Sequence, residues 1–251
     1  ETRFRRYWNR VDHVEIGLRA SYDLIDLEEE SFNLTGEQSD WRVGGDAAWT
    51  WAGPNIDEIL MLRTDLQAGG YSMSKEGGLP LQSDPYLLTD ADRGAWHLLG
   101  VGGTWQRLFN YNTRLHTSLT GYHVSDVASA KFYIAPRIQL EHYATDFLTF
   151  AAAIEGSPEM TGSMEYHREN RFLLPYHHLR STYTMKADVQ VTLEPIANNQ
   201  IRAGVSYLNS SRHPVFVRED PVIGSGNRSG HYRLSFESVT IPRAFAGIGV
   251  D

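Results

Sequence analysis

From Thr182 to Glu194 every second side chain is apolar: Tyr183, Met185, Ala187, Val189, Val191 and Leu193 oppose Thr182, Thr184, Lys186, Asp188, Gln190, Thr192 and Glu194. The same period recurs from His13 to Leu24, where Val14, Ile16, Leu18, Ala20, Tyr22 and Leu24 share one face. It recurs again from Trp41 to Trp51 and from Lys131 to Tyr143. Successive strand residues point to opposite faces, so each segment has one oily and one charged side. Soluble strands run about five or six residues, whereas a tilted membrane-crossing strand needs roughly nine to eleven. The four best segments all fall in the longer class.

Weaker segments fill the gaps: Asp57–Met73, Trp96–Phe109, Thr113–Val124, Leu148–Gly156, Ile201–Asn209 and His231–Val250. The phase of Trp96–Phe109 is blurred, because Leu98 and Leu99 are adjacent. That makes about ten strands, with a further one expected in Thr2–Trp8 and a split of the last expected at Pro242. Helix is not competitive over any substantial stretch, since apolar residues at helical spacing with caps are missing. The links alternate as well. Gly53–Asn55, Asn110–Asn112, Ala144–Asp146 and Ile196–Asn199 are tight turns. Ile25–Gln38, Ser74–Arg93, Ser157–Tyr176 and Ser210–Gly230 are long, with Ser125–Ala130 a shorter member. Membrane barrels of the up-and-down type have short turns at one rim and long loops at the other.

Composition narrows the classes. The balance of 23 basic against 31 acidic residues, with no basic block, argues against nucleic acid as a partner. The absence of cysteine excludes disulfides, thiolate metal sites and cysteine nucleophiles. No stretch approaches the roughly 18 apolar residues of a membrane helix. A mean hydropathy of -0.40 does not argue against a barrel, whose strands need only alternate residues to be apolar. Glu1 stands where a methionine is expected, which reads as a processed chain or a fragment.

The expected architecture is therefore all-β: an antiparallel up-and-down transmembrane β-barrel of about 10–12 strands over residues 1–251, alone or as part of a larger barrel. With the oily faces turned to outer-membrane lipid, the lumen is lined by Arg19, Asp23, Arg42, Asp46, Arg63, Asp65, Arg137, Glu141, Lys186, Asp188, Arg202, Arg233 and Glu237. Trp41, Trp49 and Trp51 fall where interfacial aromatics sit. The competing architecture is a soluble all-β carbohydrate-binding sandwich, whose apolar faces meet each other in a core.

Three runs also resemble a known family. Pro136-Arg137-Ile138-Gln139-Leu140-Glu141, followed by Thr145-Asp146-Phe147-Leu148-Thr149-Phe150, is similar to a hairpin common in the barrels of TonB-dependent outer-membrane receptors. Ala187–Pro195 with Ile201–Asn209 looks like their later hairpins, and Ile241–Asp251 like their closing strand without its terminal aromatic. The resemblance covers the second half of the chain. It implies a bacterial outer-membrane location, solute uptake, and periplasmic energy-coupling or other outer-membrane proteins as partners. It also implies an N-terminal plug and a barrel of about twenty-two strands, neither of which fits this length. The chain reads accordingly as a plug-less barrel portion or as a smaller barrel, and no ligand residue of the family maps onto it.

Catalytic and cofactor chemistry finds little support. His177-His178 with His167 matches no standard metal spacing, and Asp84, Asp90 and Asp92 are not spaced as an EF-hand. Gly100-Val101-Gly102-Gly103 lies within a strand, so a phosphate-binding reading fails. Ser125 near His123 is the nearest approach to a hydrolytic pair. No enzyme, cofactor or metal is expected.

Overall fold

The computed structural model describes residues 2–9, 11–29, 34–55, 57–76, 93–126, 129–170, 179–196, 199–218 and 232–250. Eleven strands form one sheet in sequence order. They are β1 (Thr2–Tyr7), β2 (His13–Glu29), β3 (Leu34–Ala52), β4 (Glu58–Glu76), β5 (Arg93–Phe109), β6 (Thr113–Ser125), β7 (Ala130–Thr145), β8 (Leu148–Glu159), β9 (Thr182–Ile196), β10 (Asn199–Arg218) and β11 (Tyr232–Val250). Every neighbouring pair is antiparallel. Among the described residues no pairing joins β11 back to β1.

The strands are longer than the alternation alone suggests. β2 and β3 run on to Glu29 and from Leu34, so most of the expected Ile25–Gln38 loop is ladder. β10 continues to Arg218 across a bulge between Ser210 and His213, where Arg212 adopts φ 55°. Its 20 residues reach about 65 Å at roughly 3.3 Å per residue. β11 is not split, as Pro242 sits in register opposite Tyr207. The tight turns are as short as expected. Asn110 and Tyr111 take φ of 50° and 60°, and Asn112 N–H closes the turn on Phe109 O at 3.2 Å. Consecutive positive φ values match the right-handed twist of the flanking strands.

The sheet is a single layer, which excludes the sandwich. Its oily side meets no second sheet: Val189 is 53% and Ile138 45% exposed, together with Ile16, Leu18, Val43, Leu62, Leu119 and Val205. The other face carries buried side chains such as Tyr71, Trp96 and Leu98. The blurred segment resolves accordingly, with Leu98 only 3% exposed on the inner side and Leu99 45% on the outer.

One element departs from the all-strand expectation. Residues Ser163–Glu169, inside the long β8–β9 connection, form a short helix, α1. Its Tyr166 packs with Met160 and Leu179 against Tyr71 on β4, Trp96 on β5 and Leu234 on β11, with Phe216 and Phe236 alongside. This cluster is the main apolar core and lies inside the curl of the sheet.

Candidate functional site: the charged inner face and its helix

α1 is held by charge as well as by packing. Arg42 on β3 donates both ends of its guanidinium to Glu165, Nη1 to Oε1 at 2.9 Å and Nη2 to Oε2 at 3.0 Å. Such a fork fixes direction as well as distance. Glu165 Oε2 also accepts the Gly162 N–H at 3.1 Å, which satisfies one of the free amides at the helix start. A side chain at residue 162 would put its Cβ 2.6 Å from Arg42 Nη2, so a larger residue there makes the end of the Arg42 side chain shift. Arg168 then reaches Asp23 on β2 at 3.0 Å. Arg42 also lies over the Trp96 ring, 5.7 Å from its centroid. On the opposite side of α1, the Tyr166 ring meets Phe216 of β10 edge-on at 6.5 Å. The helix thus bridges the interior from β2 and β3 to β10 and β11.

Burial raises the Glu165 carboxyl, but the Arg42 hydrogen bonds and charge, the Gly162 N–H and Arg168 outweigh it and hold it below the ordinary glutamate value. Burial pushes the Tyr166 phenol up to about 12, so it stays a neutral donor. Two cavities flank the helix. One, of about 220 Å³, is lined by Asp23, Asp40, Arg42, Trp96, Glu165 and Arg168. The other, of about 410 Å³, is lined by Arg19, Arg42, Gln67, Leu98, Met160 and Glu165 among others.

The other charges read from the sequence pair within one strand, with a neighbouring strand or with the next strand but one. Arg19 meets Asp65 at 3.5 Å, and Gln67 also donates to Asp65 at 3.1 Å. Asp46 stands opposite Asp65 in register, and exposed Arg63 stands between Ala48 and Gly102. Arg137 faces Glu155 at 3.8 Å, and Arg114 faces Glu141 at 3.4 Å. Lys186 pairs with Asp188 at 3.0 Å, and Arg202 donates to Gln200 at 3.0 Å. Glu237 is exposed on β11 opposite His213, and Ser235 Oγ donates to it at 3.5 Å. Arg233 stands opposite Val217, and its side chain lies outside the described residues.

Trp41 and Trp49 are exposed on the outer face, with Trp51 half-buried and its ring 5.3 Å from that of Trp49. Because β3 starts at Leu34, Trp41 lies within the strand rather than near its end. His177, His178, Asp84, Asp90 and Asp92 lie outside the described residues. Among the described residues no three His, Asp or Glu side chains gather as metal ligands. Sequence reasoning missed the partners Glu165 and Arg168 altogether, because they sit 123 and 145 positions from Arg42 and Asp23. The one local hint was Gly162 followed by an acid three residues on, the spacing of a helix start.

A meandering antiparallel sheet with its oily side outward and its ion pairs inward defines the class of outer-membrane barrels, and this chain has that fold. Among solved structures it is similar to the copper transporter OprC, with a TM-score of 0.63 and 14% identity over 99% of this chain and 42% of that one. It is also similar to FpvA of Pseudomonas aeruginosa bound to heterologous pyoverdines, at 0.57 and 8% over 99% and 37%. The ferripyoverdine receptor of the outer membrane of the same organism follows at 0.54 and 9% over 96% and 36%. The likeness is one of fold, and the chain resembles the barrels of TonB-dependent receptors. It spans about two fifths of the length of these structures. No family model and no curated protein matches the sequence.

Proposed function

We propose that this chain is the wall of a bacterial outer-membrane barrel for uptake of a small polar solute, which passes along the ion-paired inner face and around α1. The observation that carries the reading is the pairing of two opposites on one sheet. Large apolar side chains such as Leu66, Val101 and Ile134 are exposed on the outside, while ionised groups converge on a helix inside. In water the outer face would be an aggregation surface; in lipid it is the expected boundary. From Trp41 to Trp49 is about 26 Å along the strand, or about 20 Å of height at the roughly 40° tilt of barrel strands, which fits within an apolar band about 25 Å tall. Arg19, Asp23, Arg42, Asp65 and Arg137 then line the passage, and α1 narrows it.

Uptake of copper by OprC and binding of ferripyoverdine by its receptor are properties of those proteins. They support the class of function here, not the cargo. Partners under this reading are outer-membrane lipid and periplasmic energy-coupling or other outer-membrane proteins.

The reading is tested by single cysteines in a chain that has none of its own. In intact outer membranes, cysteines at Gln67 and Ser118 are expected to react with a charged thiol reagent. Cysteines at Leu66 and Val101 are expected to react with a lipid-soluble one only. Equal labelling of Val101 and Gln67 by the charged reagent would overturn it.

A further inference from the structure

Near the rim of long connections, the outer face of β5 and β6 carries two exposed histidines, His97 and His123. In the ladder Leu99 is opposite His123, and His97 is opposite Ser125, so the two rings form a diagonal pair on one face. Their other neighbours on that face include Ala68, opposite His97, and Phe132, opposite His123.

The geometry of the pair is specific. His97 Nε2 and His123 Nδ1 are 3.3 Å apart, the ring centroids are 5.3 Å apart, and the ring planes are inclined by 26°. A separation of 3.3 Å exceeds the usual range of an N–H hydrogen bond, about 2.7–3.2 Å. Two imidazole nitrogens on one ion, each at about 2.0–2.1 Å and at the tetrahedral angle, stand about 3.3–3.4 Å apart. With each ring centre about 1.1 Å behind its nitrogen, the same arrangement puts the centroids about 5.2 Å apart. Both distances match with one ion placed between the rings.

We propose that His97 and His123 form a two-imidazole site for a divalent transition-metal ion of the zinc, copper and nickel group, which imidazole favours over hard cations. No third described His, Asp or Glu joins them, so the remaining coordination positions belong to water or an incoming ligand and the ion is exchangeable. Binding fixes the tautomers: each ring turns an unprotonated nitrogen inward and keeps its proton on the other nitrogen. The site lies on the lipid-facing side at the level where that face meets water. It is separate from the inner passage and independent of the uptake reading.

The test uses the purified protein in detergent with copper(II) as probe, with and without His167→Asn, His177→Asn and His178→Asn to remove the other histidine group. Paramagnetic resonance is expected to show one bound equivalent with hyperfine coupling to two imidazole nitrogens, displaced by zinc(II). His97→Ala and His123→Ala are each expected to weaken that equivalent at least tenfold. Heat-shifted gel migration reports whether these exposed-site variants still fold. If copper fails to bind, or if both variants retain the same equivalent and spectrum, the two rings are only neighbours and the proposal is overturned.

Discussion

Glu165 is gripped from three directions, by the Arg42 fork, the Gly162 N–H and the nearby Arg168 charge, and its protonation state sets whether α1 stays docked. Folding lowers its pKa below the unfolded value near 4.3, so the docked helix gains from ionised Glu165 at neutral pH. That gain disappears as pH falls from about 4 through the lowered folded value. Spin labels at Glu169 and Asp146, exposed sites in a chain without cysteine, are expected to report one narrow distance at pH 7. The distribution should broaden below about pH 4. Glu165→Gln should broaden it at both pH values, since a neutral amide keeps at most part of the fork. A distribution unchanged from pH 7 to pH 3 in the parent protein would show that packing of Tyr166 alone holds the helix. The sequence revealed that Arg42 and Asp23 belong on a charged face, because alternation settles the face. It did not reveal their partners, since an ion pair across more than a hundred residues depends on how the sheet curls.

Three elements meet at Asp126, in the β6–β7 connection. Its carboxylate accepts Ser129 N–H at 2.8 Å, Ser181 N–H and Oγ each at 3.1 Å, and Arg212 Nη1 at 3.2 Å. Arg212 is the left-handed residue of the β10 bulge, and Ser181 directly precedes β9. One buried acid thus ties a connection, a strand entry and a bulge on the rim of long connections. Asp126→Ala strands the Arg212 cation in a largely buried place, which costs about 3–5 kcal/mol. Ser129→Ala keeps the backbone N–H bond and removes only the long Oγ–Asp126 bond of 3.4 Å, at about 1 kcal/mol or less. Urea unfolding in micelles should separate the two variants in that order, and equal midpoints would contradict the hub. Most strands were legible because hydrocarbon on one side and ion pairs on the other enforce alternation. The outer parts of β2, β3 and β10 were not. Asp26-Leu27-Glu28-Glu29 and Ser210-Ser211-Arg212-His213-Pro214 lose the alternation, and the bulge interrupts the ladder there. α1 was hidden for another reason: seven residues carry too few turns for a helical period to register.

Parity constrains the whole molecule. In an up-and-down sheet of eleven strands the first and last run in the same direction, so β1 and β11 cannot complete an antiparallel ladder with each other. Within lipid an unpaired edge leaves backbone N–H and C=O groups without partners, each at a cost of several kcal/mol. β11 presents 19 residues of such edge, and β2 presents more beyond Leu18, where pairing with β1 stops. Closure by antiparallel pairing therefore takes an odd number of further strands between β11 and β1, giving the even count of bacterial barrels. We propose that strands of the same polypeptide supply them. Cysteines at Phe4 and at successive β11 positions from Ala244 to Ile248 test this in the complete protein in membranes. No intramolecular disulfide is expected at any position, and the β11 amides that point away from β10 should be as protected from hydrogen exchange as those of β6. An efficient β1–β11 disulfide would instead show a direct parallel seam, and fast exchange along β11 would show an edge that lipid does not touch.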